Sequence, residues 1–205
     1  MINAAIVGMG RWGQTLVNSV QGKSDKINFT RGVTRTTSKV EDYCAERGIT
    51  LGDDYDAMLA DAAVDAVVLA SPHTAHFDQM MKAAAAGKHI FCEKPFALSK
   101  AEANSALGAI SAAGLKVGLG HNRRFAPNTI ELKRMIDDGE LGETLMIESS
   151  FSAPMSRYVD EWRTSRAESP AGGMTSLGIH SLDMFIHLFG NISEVQARSK
   201  RLAMP

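Results

Sequence analysis

The chain has few cysteines, no long apolar run and no excess of basic charge. Its 205 residues include only Cys44 and Cys92, which predicts free thiols in a reducing compartment. No apolar stretch approaches the length of a membrane helix, and no basic leader with a cleavage site precedes the first apolar run. With a formal net charge of -1, we expect no nucleic-acid or membrane partner. These features predict a cytoplasmic globular protein.

Apolar runs alternate with helical patterns along the first 120 residues. The candidate strands are Ile2–Val7, Ile27–Val33, Ile49–Leu51, Ala66–Ala70, His89–Cys92 and Lys116–Leu119. The helical patterns between them lie near Gly13–Val20, Lys39–Arg47, Tyr55–Ala60, His76–Ala86 and Lys100–Ala113. Strands that alternate with helices predict an α/β domain over residues 1–120 with a doubly wound parallel sheet.

Short signals mark the ends of several of these helices. The pairs Ser38 with Glu41 and Ser99 with Glu102 both have the spacing of a capping box, in which each side chain binds a backbone amide of the other residue. Gly48, Gly87 and Gly114 follow helical patterns, where a left-handed residue is often needed.

The pattern changes after residue 120. Pro127–Asp138 and Ile179–Phe189 look helical, whereas Thr144–Phe151 and Ile192–Leu202 look extended. Residues 121–205 therefore predict a second, incomplete α+β domain. Two strands alone make a marginal sheet, so we expect further strands from additional chain or from a partner subunit.

A glycine-rich turn joins the first strand to the first helix. It reads Gly8-Met9-Gly10-Arg11-Trp12-Gly13, the Gly-x-Gly-x-x-Gly pattern that binds a dinucleotide in this context. Gly8 permits a tight turn, Gly10 lets the backbone approach a pyrophosphate, and Gly13 allows close packing of helix on strand. The alternative, a plain glycine turn, does not explain three glycines at this spacing.

The end of the second strand bears on the choice of cofactor. An acidic residue normally binds the ribose 2′-hydroxyl of NAD there, but this chain has Thr34 and Arg35. A guanidinium can pair with a 2′-phosphate, so the sequence favours NADP over NAD. The alternative is that Arg35 is a solvated loop residue that serves either cofactor.

The fourth strand ends at Ser71-Pro72-His73, and His76 begins the next helix. Because this position borders the predicted cofactor cleft, we expect cofactor-loop roles for these residues. The spacing of His73 and His76 also allows a metal pair, or simple capping and packing. With no thiolate or third imidazole nearby in sequence, we expect no metal.

Several motifs together resemble one family. They are Glu93-Lys94-Pro95 after an apolar strand, the glycine turn, residues 121–125 (HNRRF), Trp162-Arg163, and residues 172–183 (GGMTSLGIHSLD). In this order they resemble the glucose–fructose oxidoreductase, inositol dehydrogenase and rhizopine catabolism (Gfo/Idh/MocA) family, and the resemblance covers essentially the whole chain. It implies an N-terminal Rossmann domain, a C-terminal substrate domain with an open-faced sheet that often mediates homo-oligomerisation, and NAD(P)-dependent oxidation or reduction of sugars, cyclitols and related polyols.

The resemblance also implies site roles. Lys94 would contact substrate and nicotinamide ribose, with a cis bond to Pro95, and Glu93 would lie at the cofactor. His180 would be the general acid and base, a task that suits the pKa range of imidazole. Asp183 would accept hydrogen bonds from the substrate. Arg123, Trp162, Arg163 and Ser176 would line the substrate site.

The spacing of the last motif is also that of a helix face. Positions 176, 180, 183 and 187 recur at i, i+4, i+7 and i+11, so Ser176, His180, Asp183 and His187 are expected on one side of a helix. The alternative is that His180 and Asp183 form a surface pair or a satisfied core pair.

Two departures from the family bear on activity. Ser176 stands where many members carry an Asp, and a serine cannot balance the charge of an imidazolium. Family chains are also considerably longer than 205 residues, so we expect a fragment. A non-catalytic NAD(P)-binding sensor and an imine or biliverdin-type reductase remain as alternatives.

Overall fold

The computed structural model describes residues 1–152, 162 and 165–200. The described chain forms two compact units, of which the first is Met1–Gly120 and the second begins at His121. The helices within these described ranges are all too short or too polar to cross a bilayer.

The first unit is built on a six-stranded parallel sheet. Its strands are β1 (Ile2–Val7), β2 (Ile27–Val33), β3 (Thr50–Gly52), β4 (Ala66–Leu69), β5 (His89–Cys92) and β6 (Val117–Leu119). They are arranged in the order β3-β2-β1-β4-β5-β6, the order of the Rossmann fold. The predicted doubly wound sheet is therefore confirmed, with strand ends within one residue of the predicted positions.

Five helices connect these strands. They are α1 (Arg11–Val20), α2 (Glu41–Ala45), α3 (Tyr55–Leu59), α4 (His76–Ala85) and α5 (Lys100–Ala112). At α5 the predicted capping box forms, because Ser99 accepts from the backbone of Glu102 and Glu102 accepts from the backbone of Ser99. At α2 the prediction is wrong: a 3₁₀ turn over Thr37–Lys39 intervenes, and the helix begins after Val40 without a side-chain cap.

The sheet is buried on both faces. Along β1, Ala5 and Val7 belong to one apolar cluster, whereas Ala4 and Ile6 belong to another. The first cluster includes Met80 of α4 and Ile110 of α5, and the second includes Val17 of α1 and Cys44 of α2. This alternation follows from the period of two of a β-strand, and it explains why β1 is almost entirely apolar.

The second unit has helices but no strand among its described residues. Its helices are α6 (Pro127–Asp137) and α7 (Ile179–Phe189), preceded respectively by a 3₁₀ turn over Asn122–Phe125 and by a π-helical turn over Met174–Gly178. The predicted strand at Thr144–Phe151 is wrong, and so is the one from Ile192 as far as residue 200. An extended segment becomes a strand only when its backbone pairs with a neighbour, and these two described segments do not pair with each other.

Candidate functional site

Four neighbouring strands of the first unit end at the same edge of the sheet. Val7 is in register with both Val33 and Leu69, and Leu69 is in register with Cys92. The segments that follow are hydrogen-bonded to the strands beside them, since the amide of Gly8 donates to Val33 O at 2.8 Å and that of Glu93 donates to Leu69 O at 2.9 Å. The glycine turn and the Glu-Lys-Pro turn therefore both extend from the carboxyl-terminal edge of the sheet, which is the edge where open α/β sheets bind ligands.

The glycines of the first turn meet different steric demands. Gly8 has φ +93°, and a Cβ there would lie 2.6 Å from Ala70 O. At Gly13 a Cβ would lie 2.0 Å from Gly8 O, so only glycine allows the helix to approach the turn. At Gly10, in contrast, a Cβ would meet no described atom within 4 Å. The turn is thus closed on its protein side and open at Gly10, as the approach of a diphosphate requires.

The start of α1 is suited to an anion. Within the described helix, Gly10 is the N-cap, it provides no side-chain cap, and the first turn has no acidic residue. The first amides of a helix carry partial positive charge and need acceptors. Arg11 and Trp12 are exposed beside them, while the side chain of Met9 is buried and leaves only its backbone to a ligand.

The loop after β2 contains Thr34 and Arg35, which were predicted to bind the cofactor. The amide of Thr34 donates to Gly52 O at 3.0 Å, and the side chain of Arg35 is exposed. From Thr34 to Lys39 the loop contains hydroxyl and basic side chains and no carboxylate.

The segment after β4 differs from expectation at His76. Ser71 Oγ donates to Gln79 Oε1 at 2.5 Å, and His73 is buried in a 3₁₀ turn that follows Pro72. His76 is fully buried, and each of its ring nitrogens lies within hydrogen-bond distance of a backbone carbonyl. Its side chain therefore has no surface for the expected contact with a cofactor.

The Glu93-Lys94-Pro95 turn follows β5. The predicted cis bond between Lys94 and Pro95 is confirmed. The Glu93 side chain is buried against Gly120, whose Cβ, if present, would lie 2.6 Å from Glu93 Oε1. Burial raises the pKa of Glu93, opposed by hydrogen bonds from the indole of Trp12 and the backbone amide of Lys94 and by the positive charge of Lys94. The Glu93 carboxylate is therefore buried against Gly120 and does not face an open cleft.

The second unit places His180 among aromatic rings and Arg123. The His180 ring is 6.2 Å from that of His121 and 6.3 Å from that of Phe151, centroid to centroid. The guanidinium of Arg123 lies 4.5 Å from the centre of the Phe151 ring. His180 and Arg123 both line a shallow cavity of about 230 Å³, together with Ser149, Ser181 and apolar residues of α7. The structure therefore brings together two of the predicted site residues.

Asp183 is buried in an ion pair that sequence reasoning missed. Arg124 Nε donates to both carboxylate oxygens, at 3.0 and 2.9 Å, and Nη2 donates to Oδ1 at 2.5 Å. His121 Nδ1 lies 3.6 Å from Asp183 Oδ2. This pairing raises the pKa of Arg124. An ionised carboxylate has about four acceptor positions, so a substrate hydroxyl could still bind beside the guanidinium.

Three predicted site residues remain: Ser176, Trp162 and Arg163. Ser176 lies in the π-helical turn over Met174–Gly178, which directly precedes the helix that carries His180. The indole of Trp162 is partly exposed. Arg163 lies outside the described residues. The missed residues, His121 and Arg124, flank Arg123 in the HNRRF motif, and that adjacency was the available signal.

The sheet order, the glycine turn and the open start of α1 define a dinucleotide-binding protein of the Rossmann class. Residues 2–121 match the model of an oxidoreductase family with an NAD-binding Rossmann fold, named GFO_IDH_MocA, and residues 129–205 match a C-terminal domain of that family. The chain therefore belongs to the Gfo/Idh/MocA family.

Relatives and solved structures agree with this assignment. The chain is 31% identical to an inositol 2-dehydrogenase of Rhizobium meliloti over 92% of its own length and 55% of the relative. It is 30% identical to a scyllo-inositol 2-dehydrogenase (NAD(+)) of Bacillus subtilis over 100% of its length and 59% of the relative. A crystal structure of scyllo-inositol dehydrogenase from Lactobacillus casei, with bound NAD(H) and scyllo-inositol, superposes with a TM-score of 0.81 at 27% identity, covering 93% of this chain and 56% of that one. The chain thus spans little more than half the length of these relatives.

Proposed function

We propose that the protein is an NAD(P)-dependent oxidoreductase that transfers a hydride between nicotinamide and a hydroxyl or carbonyl carbon of a sugar, cyclitol or related polyol. The observation that carries the proposal is the common edge of β1, β4 and β5, from which the glycine turn and the turn that carries Lys94 both extend. The relatives named as inositol dehydrogenases support the substrate class.

The residues of the first unit fit a dinucleotide. The open approach at Gly10 and the first amides of α1 would hold the diphosphate, with Arg11 and Trp12 beside it. Thr34 and Arg35 would hold the ribose end, and we propose a preference for NADP because no carboxylate in that loop would repel a 2′-phosphate. Ser71, Pro72 and His73 would flank the cleft. When bound, the nicotinamide supplies the site that accepts or returns a hydride.

Proton transfer is the task of the chain's own side chains. Lys94 donates hydrogen bonds that orient the reacting hydroxyl, and His180 takes its proton during oxidation and returns it during reduction. Arg123 borders the cavity that His180 lines, which supports a substrate-binding role. Asp183, fixed by Arg124, accepts hydrogen bonds from further hydroxyls. Ser176 offers a hydroxyl where a carboxylate would balance an imidazolium, and Trp162 and Arg163 remain proposed substrate residues.

We further propose a cytoplasmic location and a homo-oligomer. The two cysteines are free and buried, which suits a reducing compartment. In the second unit, large apolar side chains are exposed on the segments around residues 145 and 195, which supports a covering partner.

Turnover tests the function. The whole chain is assayed for nicotinamide reduction with NAD and NADP against a panel of inositols, aldoses and alditols. We expect reduction with at least one polyol, and a loss of kcat on the order of 10²-fold or more in Lys94→Ala and in His180→Ala, the range of a lost acid–base group. Lys100→Ala, an exposed lysine at the start of α5, is the matched control and should retain kcat.

Other outcomes would contradict the proposal. An active Lys94→Ala variant would remove Lys94 from the mechanism. Cofactor binding without turnover of any polyol would favour a non-catalytic NAD(P)-binding protein, and turnover only in the reducing direction on an imine or a tetrapyrrole would favour a reductase.

A further inference from the structure

His76 is the first residue of α4 and is completely enclosed by protein. Its relative exposure is 0%, and the ring centroid of His73 lies 6.0 Å from its own. A buried imidazole is stable only when its polar nitrogens have partners. The identity of those partners therefore indicates what the residue does.

The two ring nitrogens contact two different turns. Nδ1 lies 2.8 Å from the carbonyl oxygen of Pro95, and Nε2 lies 3.1 Å from that of Ser71. Ser71 follows β4 and Pro95 follows β5, so the ring bridges the chain segments that leave two adjacent strands. Carbonyl oxygens only accept hydrogen bonds, so at least one ring nitrogen carries a proton and donates it.

These bonds lie directly beside Lys94. On the N-terminal side, the amide of Glu93 donates to Leu69 O at 2.9 Å. On the C-terminal side, the carbonyl of Pro95 faces His76 Nδ1. The backbone of Lys94 is therefore held between two anchored neighbours, one attached to β4 and the other to α4.

We propose that His76 is a positioning residue for Lys94. The hydrogen bond from Nδ1–H to the Pro95 carbonyl, the shorter of the two, fixes the turn and with it the place from which the lysine side chain extends. The role rests on the proposed function, in which Lys94 orients the reacting hydroxyl. Misplacing such a group by about 1 Å can cost on the order of 10²-fold in rate.

Three substitutions separate this role from simple packing. In His76→Asn the side-chain amide can donate from near the position of Nδ1, and in His76→Gln from near the position of Nε2. His76→Leu removes both donors. His89→Asn, an exposed histidine on β5, is the control for loss of an imidazole elsewhere in the sheet.

The measured quantities are kcat, KM, the cofactor Kd and the NMR signal of Lys94. The NMR sample is protein whose lysines carry ¹³C-methyl groups, and the signal of Lys94 is assigned by its loss in Lys94→Arg. We expect His76→Leu to lower kcat by about 10- to 100-fold with KM and cofactor Kd within a few-fold, and to shift the Lys94 signal. His76→Asn should recover most of kcat and the wild-type signal, whereas His76→Gln should not. His89→Asn should behave as wild type.

The proposal and the function on which it rests fail differently. A wild-type protein without turnover contradicts the proposed function, but the Lys94 signal still decides the positioning role. If the Lys94 signal is unshifted in folded His76→Leu, or if His76→Asn and His76→Gln have equal effects, the positioning role of His76 is overturned. If His76→Leu does not fold, the comparison of Asn with Gln gives the decision.

Discussion

Arg35 stands in the loop after β2 with its side chain exposed. We expect Arg35→Ala to weaken NADP binding by about 10- to 150-fold, the equivalent of the 1.5–3 kcal/mol of a charge-assisted hydrogen bond, with little change for NAD. Titration calorimetry with both cofactors measures the difference. Lys39→Ala, an exposed basic residue at the end of the same loop, is the matched control. Equal losses for both cofactors would refute pairing with the 2′-phosphate.

Glu93 makes the stability of the first unit depend on pH. Burial raises the pKa of Glu93 in the folded protein above its ordinary value of 4.5. The contribution of Glu93 to the free energy of unfolding is therefore complete below pH 4.5, and it is lost as the pH rises through the folded-state pKa. Glu93→Gln stays neutral and escapes this loss. The melting temperature of the variant minus that of wild type should therefore increase by a few degrees between about pH 4 and pH 8.

Scanning calorimetry at several pH values measures that difference. Glu102→Gln is not a suitable control because its carboxylate takes part in the capping box, whereas Glu41→Gln alters an exposed carboxylate in the same unit. A difference that is constant with pH would show that Glu93 titrates alike in the folded and unfolded chains.

At the residue scale, the sequence predicted local backbone features better than contacts between distant residues. Gly8 and Gly13 were predictable because local backbone geometry demands glycine there, whereas the cis bond before Pro95 was implied by the family resemblance. The ion pair of Arg124 with Asp183 was not predictable, since this contact joins distant parts of the chain and leaves no periodic pattern.

The two predicted capping boxes allow a test at the scale of one helix. Ser99 caps α5, whereas Ser38 lies in a 3₁₀ turn and caps no helix. We expect Ser99→Ala to lower the free energy of unfolding by about 1 kcal/mol and Ser38→Ala to change it by much less. Urea denaturation measures both. Equal losses would mean that the α5 box contributes no more than an ordinary surface serine.

At the scale of single elements, helices and strands were predictable where nearby residues in the sequence determine them. The helices and strands of the first unit follow from apolar periodicity and from glycines such as Gly48, Gly87 and Gly114, which all have positive φ after a helix. Neither Thr144–Phe151 nor the segment from Ile192 as far as residue 200 is a strand, because an apolar pattern in one segment does not specify the segment with which it pairs. Which segment lies beside a strand is decided by the tertiary fold.

At the scale of the whole molecule, the proposed homo-oligomer can be tested at the exposed apolar residues of the second unit. Leu145, Met146 and Val195 are 87%, 81% and 70% exposed. We expect light scattering after gel filtration to give a mass above the 22.1 kDa of one chain. Met146→Lys with Val195→Lys should lower that mass, and Leu107→Lys, on α5 of the first unit, should not. A monomeric wild type would contradict a partner at this surface.

The turn at Gly8 is held in place by the sheet itself, because the Gly8 amide donates a hydrogen bond to the Val33 carbonyl and the turn packs closely against the carbonyl of Ala70. Its backbone freedom is lost when the chain folds and not when a dinucleotide arrives. Association at this turn should therefore carry little entropic penalty from loop ordering, so that differences in affinity between nucleotides reflect their contacts and not the rigidity of the receptor.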